Sequence, residues 1–211
     1  TLLSLTVSAP DEEPESAPTY DVDDDVDAML SPAGLSVREW RSGFPLLQRR
    51  HETVTLADGE VVRRWRWAVK TAAPTGVHGE AWGDTHFARG LAEALRRLGQ
   101  EVVVDSYPSR RRPSSDYLDD IVLALRGPHR IDPPRSGLSL LWVISHPDEI
   151  DLDEISAFDA VFAASIPWSR KASRLFERPL LPLLQCTDAT RFHPTAAPRT
   201  PDIGFVCTSL R

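Results

Sequence analysis

The stretch WRWAVKTAAPTGVHGEAWGDTHFARGLAEALRRLG, residues 65–99, decides the fold class of this chain. It begins with an apolar run typical of a buried strand, continues through a glycine-rich loop, and ends with apolar residues at helical spacing. Gly99 directly after this periodic segment is a helix stop signal. A strand, a loop and a helix in this order open an α/β domain that binds ligands at the carboxyl end of the strand. The amides of the helix N-terminus favour an anionic or hydroxyl-rich ligand there.

The remainder of the chain repeats this rhythm. Helices are expected from Asp151 and over residues 168–176. The apolar runs are continuous and do not alternate with polar residues, which is the pattern of parallel strands covered on both faces. The sequence therefore predicts an α/β fold with a doubly wound, mainly parallel, Rossmann-like sheet. Strands are predicted at residues 65–72, 101–106, 121–125, 138–144, 160–164 and 180–184, with one more strand-like run at 203–207.

Composition divides the chain into four segments. Residues 1–36 form an acidic segment that is expected to be disordered, because it has too little apolar area to offset the entropy of ordering. Residues 37–64 form an extension in which Asp58-Gly59 suggests a hairpin. Residues 65–200 are expected to form the Rossmann-like domain. Residues 201–211 have the pattern of the start of a second domain.

Charge and cysteine usage exclude several functions. The first 31 residues hold nine of the 31 acidic side chains and no basic one, so the rest is nearly neutral and offers no broad basic face for nucleic acid. Cys186 and Cys207 have neither metal-ligand spacing nor a disulfide framework, so we expect no metal and a cytoplasmic location. The apolar opening TLLSLTV is too short to span a membrane.

The first loop and the end of the last predicted strand supply four candidate site residues. Gly83 and Asp84 either line a ligand site or form the turn and N-cap of the helix, and one aspartate side chain can do both. His86, in the first helical turn, is either a ligand contact or an exposed polar residue. Asp188 either faces the crevice or caps the turn before Phe192. Because the loop is neither GxGxxG nor a P-loop, a conventional dinucleotide site is disfavoured.

The ends of two central strands supply the other candidates. Arg126 and Gly127 follow one strand, where an arginine can hold a carboxylate or phosphate, or form an ion pair across the sheet edge. His146 follows the next strand, and Pro147 fixes the turn. A histidine there can act as a base towards a hydroxyl, can hydrogen-bond a ligand, or can pair structurally with Asp148.

Six motifs in this order resemble the N-terminal half of CgeB-like, spore-maturation-type bacterial glycosyltransferases, in the GT-B superfamily. They cover about residues 65–206 and read WAVKTAAP, WGDTHFARGLAEALRRLG, DDIVLALRG, LLWVISHPDEI, FDAVFAAS and LLQCTDATRFHP. The resemblance implies two facing Rossmann-like domains, of which the first mainly binds the acceptor and the second mainly binds a nucleotide-sugar donor. It implies no other cofactor.

The end of the chain departs from this family. Its relatives continue with a pattern like FVGNSR and a whole second domain, whereas Cys207 and Thr208 stand here in place of the Gly-Asn pair. The resemblance therefore predicts an acceptor-side domain that transfers little sugar alone, with the donor half supplied by an absent domain or a partner chain. The alternatives are a stand-alone carbohydrate- or nucleotide-binding module that acts with a partner chain, and a non-functional truncated product.

Overall fold

The chain divides between Arg64 and Trp65 into two compact units. The acidic residues 1–25 and the expected strand at 203–207 lie outside the described part, as does the whole of 201–211. The computed structural model describes residues 26, 28–41, 43–50, 52–113, 115–134, 137–189, 191–194 and 196.

The first unit contains two antiparallel hairpins. The hairpin expected at Asp58-Gly59 forms, with the Asp58 carboxylate accepting a hydrogen bond from the Glu60 amide at 3.0 Å and Gly59 at a φ of 89°. The other hairpin was not expected. The four strands are β1 (Leu35–Arg41) with β2 (Phe44–Arg49), and β3 (Glu52–Thr55) with β4 (Val61–Arg64).

Part of the segment expected to be disordered is ordered. Residues 31–33 form a 3₁₀ turn that ends at Gly34, and β1 begins at Leu35. The left-handed conformation of Gly34 closes the turn, and its amide donates to the Ser31 carbonyl. The acidic composition that predicted disorder ends before this point, so the boundary at residue 36 was placed too late.

The second unit is an α/β domain built on a six-stranded, all-parallel sheet. The mainly parallel sheet predicted from the continuous apolar runs is therefore confirmed. Its elements are β5 (Arg66–Thr71), α1 (Gly76–Glu80), α2 (Gly83–Arg97), β6 (Glu101–Asp105), β7 (Ile121–Arg126), β8 (Leu138–Val143), α3 (Leu152–Ser156), β9 (Ala160–Ala163), α4 (Ile166–Leu175) and β10 (Leu181–Pro182).

Apolar residues cover both faces of this sheet. Leu123 of β7 packs in one core cluster with Ala88 of α2, whereas the adjacent Ala124 packs in the other with Ile155 of α3 and Ala172 of α4. Successive residues of a strand point to opposite faces, so each residue of β7 needs an apolar partner. This double burial explains why the strands read as unbroken apolar runs.

The strand order locates the topological switch point of this sheet. The strand order in the sheet is β6-β5-β7-β8-β9-β10. After β5 the chain forms β6 on one side of β5, and it then crosses over to form β7 on the opposite side of β5. In open parallel sheets, ligands bind outside the carboxyl ends of the strands at such a switch point. Here the switch point lies between the ends of β5 and β7, next to Ala72 and Gly127.

The helix ends confirm two predictions and correct a third. Gly99 has a φ of 74° just after α2, as its stop signal predicted, and Asp151 caps α3 by accepting from the Glu154 amide at 2.6 Å. Asp84 is not an N-cap, because α2 starts one residue earlier with Trp82 at the cap position. The Asp84 side chain is therefore available for another role.

Candidate functional site

The Asp84 carboxylate lies against Gly127 at the switch point of the sheet. A Cβ atom built on Gly127 would lie 2.6 Å from Asp84 Oδ2 and 3.2 Å from Ala72 Cβ. The end of β7 therefore has room for the carboxylate only because residue 127 is glycine. Gly83, by contrast, is exposed with nothing within 4 Å of a built Cβ, so no packing requires a glycine there.

Asp84 is a half-buried acid that lacks a partner. Within the described part of the chain, no hydrogen bond or ion pair reaches its side chain. Burial raises the pKa of Asp84 above its ordinary value, and the nearby His146 opposes this shift. A carboxyl group with a raised pKa in a cleft is typical of sites that bind ligands or move protons.

His146 stands at the same edge of the sheet in an unusual backbone conformation. Its φ of 52° and ψ of 48° are left-handed, and Pro147 follows directly. Non-glycine residues adopt this region rarely and at a cost of about 1–2 kcal/mol. The side chain is exposed, and its Nδ1 lies 2.9 Å from the Ser145 hydroxyl oxygen. That contact leaves Nε2 as the ring atom that can meet a ligand.

Arg126 is buried and already paired. Its Nε donates to Glu154 Oε1 at 2.7 Å, Nη1 donates to the Gly127 carbonyl, and Nη2 lies 3.8 Å from Glu149. The side chains of Arg126 and Glu154 are only 4% and 1% exposed. The geometry therefore favours the ion pair over the anion-binding role that the sequence left open, and the pair ties the end of β7 to α3.

A second, polar pocket of about 250 Å³ lies on the other side of β5, at the carboxyl ends of β5 and β6. It is distinct from the crevice beside β7, because β6 and β7 flank β5 on opposite sides. Sequence analysis did not single it out. Five hydroxyl groups line it, from Thr71, Thr75, Thr85, Ser106 and Ser109.

Gly79, Glu80 and Arg89 complete the wall of this polar pocket. A Cβ on Gly79 would lie 2.0 Å from the Pro74 carbonyl oxygen, so α1 packs against residue 74 only with glycine at 79. Arg89 donates two hydrogen bonds to the Glu80 carboxylate, at 2.6 and 2.5 Å. These bonds lower the pKa of Glu80 and raise that of Arg89, so both side chains remain charged and neutralise each other.

A buried ionic network holds the segment between β6 and β7, which carries two of the pocket serines. Lys70 Nζ donates to the Arg110 carbonyl at 2.6 Å, and Arg112 donates to Asp105 at 3.0 Å and to Asp119 at 2.5 Å. Burial lowers the pKa of Lys70 and raises that of Asp119. The network fixes this wall of the pocket to the sheet.

His86 and Asp188 meet elsewhere, in an apolar groove of about 660 Å³ along α2. Residues 186–189, 191 and 192 form the other wall of this groove, and Cys186 is exposed there. His86 Nε2 lies 2.9 Å from the Glu80 carbonyl oxygen. Of the seven residues proposed from the sequence, the structure thus brings Asp84, Gly127 and His146 into one crevice, and places His86 and Asp188 in a separate groove.

Among the described residues, no group of three or more histidine, cysteine, aspartate or glutamate side chains is placed to hold a metal ion. No described helix combines the length and the apolar character that crossing a bilayer requires.

Comparison with known proteins gives no relative: no protein-family model matches the chain, and no curated protein matches it significantly.

Proposed function

We propose that the second unit is the acceptor-side domain of a GT-B glycosyltransferase resembling the CgeB-like family. The complete enzyme would transfer a sugar from a nucleotide-sugar to a hydroxyl group. The observation that carries the proposal is the meeting of Asp84, Gly127 and His146 at the switch point of a parallel sheet. The ordered motifs over residues 65–206 support it, since each of these three residues lies within one of them.

The proposed chemistry uses His146 as the base. Its Nε2 takes the proton of the acceptor hydroxyl, and the oxygen attacks the anomeric carbon of the donor sugar. The bond from that carbon to the phosphate oxygen breaks, and the nucleoside diphosphate leaves with the bonding electrons. Asp84 stabilises the imidazolium that forms, because its carboxylate is half-buried, unpaired and electrostatically coupled to His146.

The donor side is assigned to a second domain or a partner chain. A GT-B enzyme holds the donor and the acceptor in a cleft between two lobes, and reaction requires both in register. We expect the reaction to take place in the cytoplasm, because the chain has only two cysteines and their number and spacing do not suggest a disulfide framework.

The proposal is tested by ligand titration of the 211-residue chain, followed by NMR. The ligands are a panel of neutral sugars and nucleotide-sugars. We expect a ligand from the panel to shift the imidazole resonances of His146. Asp84→Asn and His146→Ala should each weaken its binding at least tenfold, since the first removes the negative charge of the carboxylate and the second removes the imidazole.

Matched controls separate this effect from a general loss of folding. Asp153→Asn and His193→Ala change exposed residues of the same types outside the crevice, so they should bind as the wild type does. If the Asp84 and His146 variants also bind as the wild type does, while circular dichroism shows them folded, the switch-point site is refuted.

A further inference from the structure

The polar pocket between the ends of β5 and β6 has the chemistry of a sugar site. Its volume of about 250 Å³ is below the roughly 300–1,000 Å³ of pockets for drug-sized ligands, so its occupant is small. The network around Lys70 and Arg112 and the tight contact of Gly79 with Pro74 make its walls rigid. A rigid polar wall lowers the entropy that a ligand must overcome on binding.

The hydroxyl groups of this pocket differ in what they can offer a ligand. Thr85 donates to the Gly79 carbonyl at 2.7 Å, so its proton is committed. The Ser106 and Ser109 hydroxyls share a long contact of 3.4 Å, which a ligand can replace. The Thr75 hydroxyl makes no cap hydrogen bond to α1, and the residue is exposed at the pocket. The pocket thus holds several hydroxyl groups that can both donate and accept.

The pocket is electrically neutral. Its only charged lining residues in the described chain are Glu80 and Arg89, which bind each other through two short hydrogen bonds. Glu80 occupies one donor on each Nη atom of Arg89, and its negative charge repels an anion that approaches the guanidinium. Hydroxyl groups beside a cation that is already paired match a neutral polyol better than a phosphate, which is bound mostly by arginine and lysine side chains. The N-terminus of the short helix α1 also lines the pocket at Thr75 and Gly76, and its amides can donate to hydroxyl oxygens.

We propose that this pocket binds a neutral, polyhydroxylated ligand the size of one monosaccharide unit and discriminates against phosphorylated ligands. The inference rests on the proposed function, since it assigns the substrate class of the acceptor side. The acceptor sugar lies over β5 and presents its reactive hydroxyl to the crevice at β7.

The experiment compares ligands and variants of the 211-residue chain by calorimetry and saturation-transfer NMR. The probes are glucose and N-acetylglucosamine on one side, and glucose 6-phosphate and inorganic phosphate on the other. We expect a neutral sugar to bind at least tenfold more tightly than either phosphate compound. Thr75→Val should weaken that binding about five- to tenfold, as the loss of one hydrogen bond does. Ser109→Ala is a second, independent variant, and Thr53→Val is the matched control in the other unit.

A gain-of-function variant tests the neutrality of the pocket directly. Glu80→Gln removes the carboxylate that neutralises Arg89, so it should create phosphate binding that the wild type lacks. Tighter binding of phosphate than of neutral sugar by the wild type overturns the inference. So does the absence of neutral-sugar binding, or equal affinities for the Thr75→Val, Ser109→Ala and Thr53→Val variants.

The outcome also distinguishes this inference from the proposed function. Weakening by Asp84→Asn and His146→Ala, but not by Thr75→Val or Ser109→Ala, overturns the pocket and supports the switch-point site. Weakening by the pocket variants alone supports the pocket and refutes the switch-point site.

Discussion

Replacing Glu154 by glutamine tests whether Arg126 serves the fold or a ligand. The Arg126 and Glu154 side chains are 4% and 1% exposed and are joined by a 2.7 Å hydrogen bond. Removing one member of such a pair leaves the other charge buried without compensation, which costs about 3–5 kcal/mol. Glutamine keeps an oxygen acceptor for the guanidinium, so we expect a loss near the lower limit, about 3 kcal/mol.

The assay is urea denaturation at pH 7, followed by circular dichroism and extrapolated to zero denaturant. With a slope of about 1–3 kcal/mol per molar urea, a loss of 3 kcal/mol lowers the midpoint by about 1–3 M. Glu80→Gln is the matched control, because the Glu80–Arg89 pair is equally short but its side chains are 53% and 51% exposed. Solvent screens such an exposed pair, so the control variant should have the same urea midpoint as the wild type.

If Glu154→Gln lowers the free energy of unfolding by less than about 1 kcal/mol, a structural role for the Arg126–Glu154 pair is refuted. Arg126 would then again be a candidate for binding a ligand. A double variant gives an independent check. Arg126→Met with Glu154→Leu replaces the pair by apolar side chains of similar volume, so it should be more stable than Glu154→Gln. A double variant that is less stable than Glu154→Gln contradicts the view that an unpaired buried charge causes the loss.

Three further predictions concern Asp84 and the glycines at positions 127, 79 and 90. Because burial raises the pKa of Asp84, the ionised side chain destabilises the fold as the pH rises through that pKa. Asp84→Asn should therefore raise the free energy of unfolding at pH 7 by about 1 kcal/mol, a gain that disappears below about pH 4 in urea denaturation. Gly127→Ala should displace the Asp84 carboxylate, weakening ligand binding in NMR titration about tenfold at little cost in stability. Gly79→Ala should lower stability by about 3 kcal/mol in thermal unfolding, since the new methyl group meets the Pro74 carbonyl, whereas Gly90→Ala, with free space in α2, should raise it by about 0.5–1 kcal/mol.

The sheet was predictable because its signal is local. Each apolar run, such as residues 121–125, shows by itself that a strand is buried on both faces. Helix α1 gave no such signal, since five residues are too few to show a helical period. Hairpin β1–β2 was also missed. Hairpins are recognised in a sequence by their turn residues, and the strong Asp-Gly signal lies in the other hairpin, β3–β4.

The site was predictable only in part, because its contacts are long-range. The carboxyl ends of parallel strands gather at one edge of a sheet, so His146 and the end of β7 were expected at the same edge. The burial of Arg126 and the exposure of Gly83 were not expected. The partner of Arg126 lies 28 residues away, and nothing in the local sequence distinguishes Glu154 from its acidic neighbours. The polar pocket was missed for the same reason. Its hydroxyl groups are spread in sequence from Thr71 to Ser109, and they become neighbours only when β6 pairs with β5.

Two features that lower stability lie at the switch point, and the packing of the fold accounts for neither. Two described residues other than glycine have a positive φ, His146 and Glu177. Glu177 follows the last turn of α4, where helices commonly end in a left-handed residue. His146 follows a strand, where glycine would adopt the same conformation without strain. The half-buried Asp84 nearby also lowers stability, because its carboxylate has no hydrogen-bond partner among the described residues. Residues that lower stability without a packing reason are expected where a site binds or reacts. These two residues therefore favour the switch point between β5 and β7 as the functional site over the apolar groove along α2.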